Sequence, residues 1–225
     1  MQTDEHSLLG KGIYSIPEAS HIIGMSTDRV RRWVNGYHSS KQNEHPPITP
    51  SELPAIDGKV AISFSDLLEL HFIKAFTDRG ISLQKIRKAA KIASEILGVN
   101  SHPFTEHQFK TDSKSIMHQV ETRMLNLNSD QYEFEGVIKQ SLFVGFVYTG
   151  KVAGAWHPSE KEKTVVLDPK FALGKPIIVD TGIRTRAVYN AWLAEGQDQK
   201  IVGRLYNLTP KQVRDAVGFE KRMAA

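Results

Sequence analysis

S-I-P-E-A-S-H-I-I-G-M-S-T-D-R-V-R-R-W-V, Ser15 to Val34, reads as two short helices joined by a tight turn. Ser15 and Glu18 form a capping box, and Pro17 falls in the first turn, where a missing amide is harmless. Ile16, Ala19, Ile22 and Ile23 recur at helical spacing and predict one apolar face. Gly24 suits the left-handed residue that stops a helix. Ser26 or Thr27 then caps a second helix, with Asp28 near its positive end. On that helix Val30, Trp33 and Val34 share one side and Arg29 and Arg32 another, with Arg31 between them. A helix that packs by one edge and shows guanidinium groups on the other suits a DNA groove, because Arg contacts phosphates and forks onto the guanine edge. An ordinary helical hairpin with a solvated basic face is the competing reading, and these residues alone do not separate the two.

The flanking sequence favours DNA. Residues 36 to 55 hold Pro46, Pro47, Pro50 and Pro54, which exclude a regular helix and predict an ordered loop with one short strand. Residues 45 to 64 read as an extended arm, a turn at Asp57-Gly58 and a strand, the layout of a wing. Ser65 is expected to cap the apolar helix S-D-L-L-E-L-H-F-I-K-A-F, and R-G-I-S-L-Q-K-I-R, Arg79 to Arg87, follows. From about Tyr14 to about Leu97 this order resembles the MerR-type winged helix-turn-helix. The sequence departs from that pattern at Arg31-Arg32-Trp33, where an arginine is usually followed by tyrosines, and in the long connection from Asn35 to Val60. On this reading Ser26, Thr27, Arg29, Arg31, Arg32 and Lys59 are the candidate DNA contacts. Ser82 caps a further helix ended by Gly98, with Leu83, Ile86, Ala90, Ala93 and Leu97 as its stripe. Lys85, Lys88 and Lys91 form its opposite face, either touching phosphate or simply solvated.

The bulk properties bound the function. The chain has 225 residues, 40% hydrophobic and 24% charged, enough for two or three small domains. No cysteine is present, which excludes disulfides, thiolate catalysis and cysteine-ligated zinc. No signal-peptide pattern or membrane-length apolar run is seen, so a cytoplasmic protein is expected. The net charge is +4 and is uneven. Thr164 to Ala225 carries ten Lys and Arg against six Asp and Glu, and Met1 to Phe64 carries six against seven. DNA affinity at the N-terminal end therefore has to come from a local stripe, doubled by dimerisation.

The expected fold is mainly α with small β elements (α+β). A flexible terminus, residues 1–10, precedes a winged helix-turn-helix over 11–100. Residues 101–163 form a small α/β middle region, and 164–225 a three-helix domain preceded by a short β-hairpin. In the middle region, residues 102 to 120 read as two short strands around Asp112-Ser113, Met124 to Leu127 as a third strand and Gln131 to Ser141 as a helix. Phe143 to Trp156 reads as a hairpin turning at Thr149-Gly150. His102, His107, His118 and His157 lack metal-ligand spacing, so no metal and no cofactor is expected. Asp66 and Glu69 share a helix, read as a cap and a solvated face. Phosphate loop, nucleophile elbow and metal-ligand motif are all missing, which argues against an enzyme.

In the C-terminal part, Val165 begins a strand, Asp168-Pro169 turns, and Ile177-Ile178-Val179 forms a second strand. Three helices are predicted at Thr185–Ala194, Asp198–Tyr206 and Thr209 to about Lys221, capped by Thr185, Asp198 and Thr209, with Gly196 ending the first. Val188, Trp192, Ile201, Leu205, Val213 and Val217 are the expected core. The last two helices allow a second helix-turn-helix. Asp168-Pro169, Gly174-Lys175-Pro176-Ile177-Ile178 and Leu208-Thr209 to Val213 resemble the small domain of VapB-type antitoxins. Asp180-Thr181-Gly182 departs from the glycine, threonine, arginine usual there, although Arg184 and Arg186 lie close by.

The two resemblances imply a type II antitoxin. Such a protein binds and silences a PIN-like ribonuclease toxin from the same operon and represses that operon as a homodimer on operator DNA. Lys211, Arg214, Lys221 and Arg222 are candidates to reach the toxin's acidic metal site. The same residues also fit phosphate binding by the second helix-turn-helix, or a solvated face. The alternative function is a MerR-like transcriptional regulator that senses a small molecule through Phe143, Phe146, Tyr148 and Trp156, residues that equally fit a core.

Overall fold

The structure, a computed structural model, describes residues 8–38, 44–125, 140–159 and 163–224. It is helix-rich with small pairs of strands, the expected α+β class. The chain divides into two compact units. One comprises Ser15–Phe143 and Tyr148–Ala153; the other comprises Met1–Tyr14, Val144–Val147 and Gly154–Ala225. Among the described residues no helix is long and apolar enough to cross a membrane.

The first unit begins at Ser15, the second residue of β1 (Tyr14–Ser15), and runs into α1 (Ile16–Ile23) and α2 (Thr27–Asn35). The predicted signals act as expected. Ser15 and Glu18 form the capping box, Gly24 is left-handed, and the Ser26 side chain accepts the Arg29 amide. Next come β2 (Tyr37–His38) and β3 (Glu44–His45), antiparallel, with Tyr37 opposite His45. The predicted loop with one strand is therefore two paired strands. Gly36 is obligatory at their entrance, since a Cβ there would stand 2.5 Å from the His45 carbonyl oxygen. The Asp57-Gly58 turn forms, with Ile56 and Lys59 bonded across it, and β4 (Ala61–Ile62) follows.

Next is α3 (Phe64–Thr77), capped by Ser63 rather than Ser65, with Asp66 completing a capping box. It is apolar nearly all round because it is the centre of the unit: Leu67, Leu68, Leu70, Phe72, Ile73 and Phe76 are buried. After it, α4 (Leu83–Leu97) is capped by Ser82 and stopped by Gly98 as predicted, but its buried stripe is Ile86, Ala89, Ile92 and Ala93. Leu83, Ala90 and Leu97 lie at the stripe's half-buried margin.

The largest correction is at residues 107–125. They form one helix, α5 (His107–Leu125), where strands were expected, and it packs on α4. Phe109, Ser113, Ile116, Met117, Val120 and Met124 are its buried side, a helical period present in the sequence. Asp112 departs from helical geometry (φ −113°, ψ 18°), so the Asp-Ser turn signal marks a kink rather than a chain reversal. Phe109 meets Phe72 edge-on at 6.1 Å, and Phe104 lies 5.1 Å from Phe76. Most of the proposed helix Gln131–Ser141 lies outside the described residues. The hairpin turning at Thr149-Gly150 is present as β5 (Phe146–Thr149) and β6 (Val152–Trp156). Phe143, Phe146 and Trp156 are buried, which matches the core reading of those aromatics.

In the second unit, β7 (Val165–Val166) pairs antiparallel with β8 (Ile177–Ile178). Then come α6 (Thr185–Ala194), α7 (Gln199–Tyr206) and α8 (Pro210–Ala224). Their core is Ile178, Val188, Trp192, Val202, Leu208, Val213, Ala216 and Val217. Val202 fills the place expected for Leu205, which is 62% exposed. Asp198 caps α7, and Thr209 with Gln212 makes a reciprocal box at the start of α8. Thr185 does not act as a cap: its hydroxyl donates to the buried Glu220 carboxylate.

Candidate nucleic-acid interface

The packing of α1 against α2 decides which arginines are available. Ala19 and Ser20 are buried at the crossing, and the Met25 amide reaches the Ser20 carbonyl at 2.9 Å, closing the turn. Val30, Trp33 and Val34 anchor α2 inward, so Asp28, Arg31, Arg32 and Asn35 remain on the solvent edge.

The three arginines then part. Arg29 is half-buried: Nη2 donates to Thr77 Oγ1 at 2.7 Å, Nη1 stands 3.8 Å from Asp78 Oδ1, and the guanidinium lies 4.8 Å from the Trp33 ring centroid. It ties α2 to the end of α3. Arg31 pairs with Asp28 on its own helix at 2.7 Å and stays exposed. Arg32, also exposed, lies 5.5 Å from the Tyr37 ring centroid, and Tyr37 in turn stacks on His45 at 4.4 Å. The cation and the two flat rings extend the α2 edge onto β2 and β3, a surface that can contact phosphate and stack on sugar or base. Ser26 is committed to its cap, Thr27 is half-buried beside it, and Lys59 is exposed on the Asp57-Gly58 turn.

The basic residues of α8 have different surroundings. Lys211 Nζ donates to Asp215 at 2.5 Å and to Thr164 at 3.1 Å. Burial opposes ionisation of Asp215, yet the hydrogen bonds from Lys211 and Thr164 hold its carboxyl below the usual value. Lys221 Nζ lies 4.3 Å from the Trp192 ring centroid, while Arg214 and Arg222 are exposed.

The sequence did not reveal a buried polar cluster beneath α3. Asp66 and Glu69 are both buried, so the solvated face expected for them is wrong, although Asp66 does cap. Asp66 Oδ1 lies 2.7 Å from His102 Nε2; Oδ2 accepts the Ser63 amide and the Ser51 hydroxyl. Glu69 Oε2 has no hydrogen-bond partner among the described residues. Burial pushes the Glu69 carboxyl up to about 8, against the opposing pull of His102 and the Phe104 backbone. The available signal was Asp66 three residues after Ser63, which marks a cap; its long-range partner His102 has no local signature.

Residues 12–90 match the family described as "Putative DNA-binding HTH domain", and residues 165–219 match a family described as a protein of unknown function. The chain is similar to "Putative antitoxin VapB45" of Mycobacterium tuberculosis, at 25% identity, covering 91% of this chain and 92% of that protein. It is also similar to the uncharacterized protein Rv2308 of the same organism, at 22% identity over 96% and 93% of the two chains. The crystal structure of Rv2018 from Mycobacterium tuberculosis shares the fold, with a TM-score of 0.70 over 91% of this chain and 96% of that one, at 23% identity.

Proposed function

We propose that this protein is the antitoxin of a type II toxin–antitoxin pair that represses its own operon. DNA is bound by the α1–α2 helix-turn-helix, with Arg31 and Arg32 as the contacting cations and Arg29 as the residue that sets the angle of α2. The observation that carries this reading is the exposed Arg31–Arg32 edge of α2, continued by the Tyr37–His45 stack. The similarity to a putative antitoxin over nine-tenths of the chain supports the toxin-directed half. The toxin is a PIN-like ribonuclease, reached through the last turn of α8, where Arg222 is exposed. A homodimer doubles the α2 stripe and suits a palindromic operator with half-sites about 34 Å apart.

The test is co-expression with the product of the adjacent gene. A stable complex with a small PIN-like protein, with ribonuclease activity that falls on mixing, supports the reading. A chain ending at Phe219 should then lose inhibition while keeping DNA binding. A protein that purifies alone and still shifts its promoter supports the second reading, a MerR-like regulator. That reading draws on the buried Asp66–Glu69–His102 cluster, which links α3 to the residues after α4 within the same unit.

A further inference from the structure

The geometry of the α1–α2 turn occurs a second time, at matched positions, in α7–α8. Both first helices are eight residues long. Ala19 and Val202 occupy the same position, each fully buried. Ser20 and Gly203 follow, small residues whose carbonyls accept the amides of Met25 at 2.9 Å and Leu208 at 2.8 Å across the turn. Gly24 and Asn207 are both left-handed, with φ of 64° and 52°. Ser26 and Thr209 are the next caps, accepting the amides of Arg29 at 3.4 Å and Gln212 at 3.2 Å. Val30 and Val213 are each fully buried, and Val34 and Val217 are each 4% exposed. Arg31 and Arg214 stand at the same place on the solvent edge.

Physical constraints explain the match. Two helices joined by so short a turn cross closely, so the first must present a small residue at the crossing. A Cβ on Gly203 would stand 3.0 Å from the Leu208 carbonyl oxygen and 4.0 Å from Val213 Cγ2. The turn also needs a left-handed residue, which Asn supplies at lower cost than most. Charge then separates a DNA-facing copy from a neutral hairpin. Of the six acidic residues from Thr164 onward, Asp215 and Glu220 are buried and engaged by Lys211 with Thr164, and by Thr185 with Arg186. Lys200 and Arg204, one turn apart on α7, are exposed, as are Lys211 and Arg214 on α8.

We propose that α7–α8 is a second helix-turn-helix whose ligand is duplex DNA. Arg214 faces the groove, and Lys200 and Arg204 face phosphate. This assigns a nucleic-acid site to the segment that matches a family of unknown function, and it stands independently of the toxin reading.

The test measures binding of the full chain to its own upstream DNA and to a mixed-sequence duplex across a salt series. R214E is expected to weaken binding roughly tenfold and to lower the salt slope by about 1 or more, with R214K recovering most of the loss. R214A, which removes an exposed side chain without adding a like charge, gives the same reading should R214E fail to fold. Unchanged affinity and salt slope in R214A and R214E overturn the proposal, whatever R31E does. Loss in R31E alone leaves the α1–α2 assignment standing and removes this one. Loss in R214E alone does the reverse. Unaltered DNA binding with lost toxin inhibition in R214E assigns the stripe to a protein partner and also overturns the proposal.

Discussion

His102 Nε2 lies 2.7 Å from Asp66 Oδ1, joining the residue that completes the capping box of α3 to the residue that opens the Pro103–Thr105 turn. Both side chains are nearly inaccessible to water. Replacing His102 with Ala leaves a buried carboxylate without its cation partner, and such losses cost about 3–5 kcal/mol. His102→Ala is therefore expected to lower the unfolding midpoint sharply in urea with an unchanged slope. A loss below about 1 kcal/mol would show that water replaces the imidazole.

The same cluster sets a pH dependence. Burial disfavours the His102 cation, but the Asp66 hydrogen bond and the charges of Glu69 and Asp66 outweigh it and raise its pKa. Glu69 is raised to about 8 by burial. Both groups hold protons more tightly in the folded chain. Their contributions are complete below the unfolded values, near 6.5 for His102 and 4.5 for Glu69, and are lost as pH rises through the folded ones. The melting temperature should fall as pH rises from about 4.5 to about 8, and Glu69→Gln should flatten that decline. An identical profile in wild type and Glu69→Gln would sink this account.

The arginines of α2 should separate by readout. Arg31→Ala and Arg32→Ala are expected to weaken DNA binding with little change in melting temperature. The loss is about 1–3 kcal/mol with relaxed preference for a base contact, or uniform across sequences with a salt slope lower by about 1 for a phosphate contact. Arg29→Ala should lower thermal stability as well, because it removes the bond to Thr77 and the contact with Trp33. Equal effects of all three on binding, with none on stability, would place Arg29 at the DNA instead.

In the second unit, the buried Tyr14 hydroxyl donates to the Gly174 carbonyl at 2.6 Å. Tyr14→Phe leaves that carbonyl short of a donor and should cost about 1–3 kcal/mol. Gly174 has φ of +80°, and a Cβ there would stand 2.5 Å from the Tyr14 hydroxyl oxygen. Gly174→Ala should therefore destabilise by about 1–3 kcal/mol, and by less in a Tyr14→Phe background. Full additivity of the two substitutions in chemical denaturation would contradict the contact.

Local chemistry made much of the chain legible. Ser15 with Glu18, Gly24, Ser26, Ser82, Gly98, Asp198 and Thr209 all act at helix ends as their side chains and φ preferences dictate, because capping needs only neighbours three or four residues away. The inward face of α2 followed from the same short-range periodicity. α5 was misread because a turn-like Asp-Ser pair sits inside a helical period, and the pull of Phe72 on Phe109 outweighs it. Only the tertiary structure decided the rest. It chose Val202 over Leu205 for the core, turned Arg29 inward to Thr77, and placed Asp66 against His102. Each of these depends on what another segment presents to the side chain, and burial, charge pairing and arginine availability are all set at that distance.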